Sequence, residues 1–160
     1  MRILPILGLW AMSGCVVAGG GGFGTDAFQE LPANDASFAT QLNMYRVSVG
    51  ETVVEFDERL SNAAQAHAQD MVDRNYFDHE SPEGLNVDDR MIAAGYNPSA
   101  FGENIAGRQT TEAEVLQSWI DSPSHKEILE GSSFEDFGLG LAVGDESRWV
   151  LVMGREDTTP

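Results

Sequence analysis

Three short segments of this 160-residue chain place histidines and carboxylates beside residues that favour turns. The segments are Phe77–Gly84, Phe101–Ala106 and Ser118–His125. Such residues lie where loops leave helices and strands, and loops on a rigid scaffold are where binding and catalytic sites are built. The ionisable side chains His79, Glu103 and His125 are therefore the candidate site residues.

Two imidazoles and one carboxylate match a ligand set of catalytic zinc, which keeps its fourth position for water. A histidine also serves as a general base near neutral pH. His79 precedes Glu103 by 24 positions and Glu103 precedes His125 by 22, so the trio forms no local metal motif such as H-E-x-x-H. From the residues alone, a chance trio and a shared site both stay open, and a divalent metal such as zinc is expected only at a shared site.

Other polar residues near these segments favour structural roles. His67 lies among small and apolar residues of a predicted helix, which is typical of a core or hydrogen-bonded histidine. Ser81, Ser122 and Ser124 lie near the candidate histidines, but no nucleophile-elbow pattern surrounds them. We therefore expect these serines to act in turns and helix caps.

The chain is strongly acidic, with 26 Asp and Glu against 9 Lys and Arg and a formal net charge of -17. Nucleic-acid binding needs clustered Lys and Arg to contact phosphates, so the charge excludes that class of partner. The same charge disfavours electrostatic docking on anionic lipid. It is typical of a solvated, self-repelling surface.

The first residues are typical of a targeting segment. After the positive start at Arg2, Ile3–Met12 is apolar but too short to span a bilayer. The run from Met12 to Cys15 resembles a bacterial lipobox, whose cysteine receives lipid and becomes the new N-terminus. We expect a signal peptide over residues 1–14 and an exported protein anchored in the bacterial envelope through lipid on Cys15. The alternative is a plain secretory signal with a chance cysteine.

The remainder of the chain divides into a tether, one domain and a tail. Residues 15–35 predict a flexible tether, because the run of glycines from Gly19 cannot easily hold regular structure. A coil of about 20 residues spans roughly 25 Å, which would keep the domain close to the membrane. The folded domain is expected over residues 36–156, with 157–160 as a tail. Since Cys15 is the only cysteine, core packing must stabilise this domain without disulfides.

Hydrophobic periodicity predicts helices followed by strands in this domain. Four helices are expected, near Phe38–Val49, Asp57–Met71, Val87–Ala94 and Glu112–Ile120. Strands are expected at Phe101–Ala106, Phe137–Val143 and Arg148–Met153, the last two joined by a hairpin. Helices packed around a small antiparallel sheet give an α+β layered domain with one core.

The wording and order of several motifs resemble the CAP superfamily, which groups cysteine-rich secretory proteins, antigen 5 and pathogenesis-related proteins. The motifs are Phe77-Asp78-His79-Glu80-Ser81-Pro82, Arg90-Met91-Ile92-Ala93-Ala94-Gly95-Tyr96, Gly102-Glu103-Asn104-Ile105, Ser122-Pro123-Ser124-His125 and Phe137-Gly138-Leu139-Gly140. The resemblance covers about residues 38–154. It implies an α-β-α sandwich with a small antiparallel sheet flanked by helices, and a cleft on its surface.

The cleft of this family commonly holds two histidines and two acidic residues. By motif, His79, Glu103 and His125 fill three of those places, and the resemblance implies that His79 and His125 are the metal ligands. The second acid usually lies three residues after the tryptophan matched by Trp119, where this chain has Ser122. A complete four-residue site is therefore not expected.

Two functions follow from the resemblance. The first is a membrane-tethered binding or interaction domain of the bacterial envelope, whose ligand is a lipid, a small apolar molecule, an envelope polymer or a protein. The alternative is a metal-dependent hydrolase acting on peptide or cell-wall material. In either case Glu103 without metal is expected to raise the pKa values of both His79 and His125, since a carboxylate favours the imidazolium form.

Overall fold

The structure, a computed structural model, describes residues 37–159. The expected signal peptide over residues 1–14, the lipidation of Cys15 and the tether over 15–35 lie outside the described residues. Within them, the first helix begins at Phe38 and the last strand ends at Glu156. Among these residues, no helix combines the length and the apolar character needed to cross a membrane.

Residues 37–159 form five helices, most of them with a capped N-terminus. The helices are α1 Phe38–Ser48, α2 Glu58–Asp73, α3 Val87–Ala93, α4 Glu112–Ile120 and α5 Pro123–Leu129. Asp57 caps α2 by accepting hydrogen bonds from the backbone N–H groups of Arg59 and Leu60. Asn86 and Asp89 form a reciprocal capping box at α3. Such side chains replace the helical hydrogen bonds that the first turn lacks.

The same residues form one four-stranded sheet in the order β1-β3-β4-β2. The strands are β1 Glu55–Phe56, β2 Pro98–Gly107, β3 Asp136–Val143 and β4 Ser147–Glu156. β4 pairs antiparallel with both β2 and β3, while the two-residue β1 pairs parallel with β3. The sheet is therefore mixed rather than wholly antiparallel.

The sheet separates two apolar cores, because side chains of the central strand β4 alternate between its faces. Trp149, Leu151 and Met153 lie in the core that also contains residues of α1, α4 and α5. Val150 and Val152 lie in the core that contains residues of α2 and α3. This arrangement confirms the α+β class and the α-β-α sandwich.

Helix α2 packs unusually close to β3. A Cβ atom at Gly138 or Gly140 would overlap the backbone of α2, whereas the glycines themselves leave room for it. Ser61 donates a hydrogen bond to the carbonyl of Leu139, and the Gln65 amide bonds both the N–H and the carbonyl of Leu141. These bonds satisfy the part of β3 that extends beyond the short strand β1.

Candidate functional site

His79 and Glu103 are in direct contact. His79 lies in the loop after α2, and Glu103 lies in the middle of β2. The Nδ1 atom of His79 is 2.8 Å from Oε1 of Glu103, to which it donates a hydrogen bond. The Glu103 side chain is 3% exposed and the His79 side chain is 55% exposed. The carboxylate therefore forms the floor of the site, while the imidazole stands at its mouth.

Arg90 of α3 occupies the other oxygen of Glu103. Its Nη2 atom lies 2.7 Å from Oε2 of Glu103 and 3.0 Å from the carbonyl oxygen of His79. Its Nη1 atom donates to the carbonyl of Leu85, at 2.8 Å. The Arg90 side chain is 10% exposed. One buried cation thus joins helix α3, the loop over residues 79–85 and strand β2.

His125 lies on α5 and reaches the same strand through its backbone. The Asn104 side chain, next to Glu103, donates a hydrogen bond to the carbonyl of His125 at 2.9 Å. The Nδ1 atom of His125 is 2.8 Å from Oγ of Ser122. Ser122 stands at the position where a second acid would complete the four-residue site. A hydroxyl therefore contacts His125 there in place of a carboxylate.

The two candidate histidines have pKa values shifted in opposite directions. The pKa of His79 is raised, chiefly because Glu103 accepts its hydrogen bond. The pKa of His125 is lowered by burial and then by the charge of His79. The expectation that Glu103 raises both pKa values is therefore wrong for His125. Burial disfavours its imidazolium form, and the charged group acting on it is another histidine.

A shallow cavity of about 380 Å³ opens beside His79 and Glu103. Its other lining residues are Asp78, Glu80, Asn86, Val87, Phe101 and Gly102. Gly102 lies against the tips of Ile128 and Phe134, which a Cβ atom would contact at 3.0 Å. Helix α5 and its following loop therefore approach β2 closely at this point.

The residues of the site do not fit a three-residue metal centre. Both oxygens of Glu103 are already engaged, one by His79 and one by the Arg90 cation. Within residues 37–159, no group of three or more His, Cys, Asp or Glu side chains is arranged to hold a metal ion. Catalytic zinc takes three protein ligands. His79 and His125 alone fall one ligand short.

The structural roles expected for His67 and Ser81 are found, whereas Ser122 makes no capping hydrogen bond through its side chain and Ser124 lies in the first turn of α5. His67 is buried, with Nε2 bonded at 3.0 Å to the carbonyl of Asp78, and burial lowers its pKa. The Ser81 hydroxyl accepts hydrogen bonds from the backbone N–H groups of Glu83 and Leu85, as in a turn. Ser122 occupies the N-cap position of α5.

Two features of the site were missed by sequence reasoning. Helix α5 was not predicted, although a serine followed by proline, as at Ser122-Pro123, is a known start signal of a helix and α5 begins there. Arg90 was recognised only as part of a motif. No local pattern connects it to Glu103, because the contact joins a helix to a strand 13 residues later.

Comparison with known proteins adds a family to this geometry. The sequence profile of the cysteine-rich secretory protein family, CAP, matches residues 40–153. The uncharacterized protein YkwD of Bacillus subtilis is 35% identical over 126 residues, which are 79% of this chain and 49% of YkwD. The uncharacterized membrane protein YlbC of the same organism is 29% identical over 99 residues, 62% of this chain and 29% of YlbC. The chain therefore spans about half or less of these relatives.

Solved structures show the same fold. An extracellular protein of Bacillus anthracis that contains an SCP domain aligns with a TM-score of 0.67 and 28% identity, over 74% of this chain and 39% of that one. An outer surface protein of Borrelia burgdorferi aligns with a TM-score of 0.66 and 20% identity, over 74% of this chain and 90% of that one. With the profile match over most of its length, the chain belongs to the cysteine-rich secretory protein (CAP) family.

Proposed function

We propose that this chain is an exported binding domain of the bacterial envelope, anchored by lipid on Cys15. Its cleft at His79 and Glu103, beside His125 on helix α5, binds a polar envelope polymer without the help of a metal. One observation carries the proposal: the buried Glu103 carboxylate is fully engaged by Arg90 and His79. An occupied carboxylate positions the imidazole above it and is not available as a general base or a metal ligand.

The surroundings of the cleft favour a ligand that forms hydrogen bonds. Asp78, Glu80 and Asn86 line the cavity, and Phe101 adds an exposed aromatic ring. No residue within 37–159 bonds the Nε2 atom of His79, which is therefore available to a ligand. A shallow cavity lined by several polar side chains and a single aromatic ring suits a peptide or glycan segment better than a lipid tail, which needs a deep apolar pocket.

A metal-dependent hydrolase is the competing function, and the Arg90 contact argues against it. A cation within hydrogen-bonding distance of Glu103 repels a divalent ion from the same carboxylate. The hydrogen bond from Nδ1 of His79 to Glu103 is nevertheless typical of histidines that bind a metal through Nε2. The competing function therefore needs a direct test.

Export and anchoring are supported by the N-terminal pattern and by the relatives. The B. anthracis structure is described as an extracellular protein and the B. burgdorferi one as an outer surface protein. Intact mass of the protein from bacterial membranes should show a chain that begins at Cys15 and carries lipid. A mature chain that begins elsewhere, with Cys15 unmodified or removed, would overturn the anchor but not the cleft.

The ligand is tested with soluble peptidoglycan fragments from a muramidase digest. Added to the mature chain, they should shift the NMR signals of the His79 and His125 rings. His79→Ala should weaken binding about tenfold, the equivalent of one well-placed hydrogen bond to a partly charged group. Glu146→Gln, at the far hairpin, is the matched control and should bind like the unchanged protein. Ring signals that stay in place throughout the titration would reject this ligand class.

The metal is tested by zinc competition against a chromophoric chelator. In the unchanged protein, zinc should bind weakly, and Glu103→Gln should weaken that binding further, because a carboxylate that orients a ligating histidine contributes about 10- to 100-fold to metal affinity. Arg90→Met frees Oε2 of Glu103 and should raise the affinity about tenfold or more. One tightly held zinc per chain that is lost in Glu103→Gln would instead favour the hydrolase.

A further inference from the structure

Helix α1 exposes an apolar surface on the side away from the sheet. Met44 is 54% exposed and Val47 is 59% exposed, and Val53 of the following loop is 57% exposed. With Ala39, Thr40, Asn43 and Ser48 they line an open groove of about 690 Å³. We call these seven residues the α1 face. Contiguous apolar surface of this kind marks an interaction site more often than chance exposure of single residues.

The sequence of α1 is apolar on two sides of the helix, which raises the question of what contacts the α1 face. Phe38 and Leu42 already bury the opposite side of the helix in the core with α4 and the sheet. A surface helix normally carries polar or charged residues on its outer side, whereas α1 exposes Met44 and Val47 there, between the polar Thr40 and Ser48. Two large apolar side chains and no charged one on this side set α1 apart from a helix that faces only water.

The region around the α1 face also has few charged residues for so acidic a protein. Of the 26 acidic residues, Glu51 alone lies between positions 37 and 54. The one basic residue there, Arg46, is buried and donates to the carbonyls of Thr52, Leu129 and Gly131. On a protein of net charge -17, this is a region that a membrane surface would repel little.

The chain enters the domain at this place. Ser37 precedes the first turn of α1, and only 21 residues separate it from Cys15. Lipid on Cys15 would hold α1, the first helix after the expected tether, near the bilayer at a high effective concentration. We propose that the α1 face docks on the lipid surface to which Cys15 is anchored. The inference rests on the lipid anchor proposed above.

Docking on lipid is consistent with the acidity of the chain, because the contact is apolar rather than electrostatic. Side chains such as Met44 and Val47 would enter the boundary between headgroups and acyl chains, as the apolar face of an interfacial helix does. The acidic remainder of the surface would then point away from the membrane. Two other occupants, a second copy of the chain and its own residues 16–36, are separated from lipid by the test.

The test attaches the mature chain to vesicles through Cys15, the only cysteine, using a maleimide lipid. Because the attachment is chemical, the result does not depend on whether bacteria lipidate Cys15. The reporter is Val47→Trp, and the vesicles are zwitterionic phosphatidylcholine with brominated acyl chains. Trp119 and Trp149 are buried, and their constant signal is subtracted using the parent protein. Circular dichroism verifies that each variant is folded.

The reporter at position 47 should shift its emission to the blue, and bromine should quench it at least about twofold. The matched control is Val143→Trp, at the exposed hairpin end, which should show neither change. Adding Met44→Glu to the Val47→Trp variant should abolish the quenching. A blue shift without bromine quenching would mean that protein covers the face, and an unshifted emission would mean that nothing does. Either result overturns lipid docking.

Discussion

Helix α2 and the cleft each contain a histidine on which the charge of Glu103 acts, and the pKa values of these two histidines are shifted in opposite directions. The charge of Glu103 favours the imidazolium form of both His67 and His79. The pKa of His67 is nevertheless lowered, because its burial outweighs that attraction. The pKa of His79 is raised, because it donates a hydrogen bond to the carboxylate and keeps contact with water.

The difference shows that two histidines influenced by the same carboxylate, Glu103, need not belong to one functional site. Direct hydrogen bonding to the carboxylate separates the group that is poised to change charge from the one held neutral for packing. His67 instead bonds the backbone carbonyl of Asp78, next to His79 in the chain. The buried histidine therefore positions the loop, while the exposed histidine can meet a ligand.

A substitution in the cleft, at Arg90, should have the largest effect on stability. Arg90→Met removes the cation from a carboxylate that is 3% exposed, which leaves the partly exposed His79 as the only partner of the buried Glu103 charge among residues 37–159. We expect the free energy of unfolding to fall by about 3–5 kcal/mol, measured by urea denaturation. Arg74→Met is the control, because Arg74 pairs with Glu83 on the surface and its loss should be barely measurable. Equal losses in both variants would contradict a special role for Arg90.

A substitution in the strand that packs against helix α2 should lower the free energy of unfolding somewhat less. The Cβ atom of Gly140→Ala would overlap the backbone of Ala64 and Gln65, one turn before His67. Since backbone moves less easily than side chains, we expect a loss of about 1–3 kcal/mol in the free energy of unfolding. Gly102→Ala in the cleft is the matched control. Its Cβ atom meets only the side-chain tips of Ile128 and Phe134, so a smaller loss is expected.

The two regions also differ in how far the sequence predicted them. Four of the five helices in residues 37–159 and the long strands were predicted within a few residues, because apolar periodicity and a cap such as Asp57 are local signals. The strand β1 was missed, since two residues carry no period and form a strand only by pairing with β3. The role of Arg90 was missed for the same physical reason, because tertiary packing alone brings it to Glu103.

The candidate site shows the same division. The contact of His79 with Glu103 lies where the family motifs place the two residues, but residue spacing gave no indication of it. The environment of His125 depends on burial and on Ser122, neither of which can be read from a motif. The family motifs therefore indicated that His79 and Glu103 meet more reliably than they indicated the direction in which each histidine pKa is shifted.

The pH dependence of stability sharpens the comparison. The pKa of His67 in the folded protein lies below its unfolded value of about 6.5, so its stabilising contribution is present above that pH and is lost as the pH falls through the folded pKa. His67→Gln should flatten this acid-side loss by up to about 1.4 kcal/mol per pH unit. His79 has a raised pKa, and its contribution is present below pH 6.5 and is lost as pH rises through the folded pKa. His79→Gln should therefore leave the acid-side loss as it is and remove the loss of stability that occurs as the pH rises above about 6.5. The same slope in both variants would contradict the opposite shifts.

The smallest expected effect is the most specific one. Glu103→Gln removes the charge that His79 contacts, so the pKa of His79 should fall in an NMR titration of its ring protons. His125 receives no such bond, and its pKa is lowered partly by a charged His79. Because His79 would carry its charge less often in the variant, the pKa of His125 should stay constant or rise slightly. Ser122→Ala is the reciprocal control, which alters the titration of His125 and leaves His79 unchanged. Equal falls at both histidines would mean that Glu103 acts directly on both rings, and the cleft would then be one coupled site instead of a carboxylate–histidine pair beside a separately held imidazole.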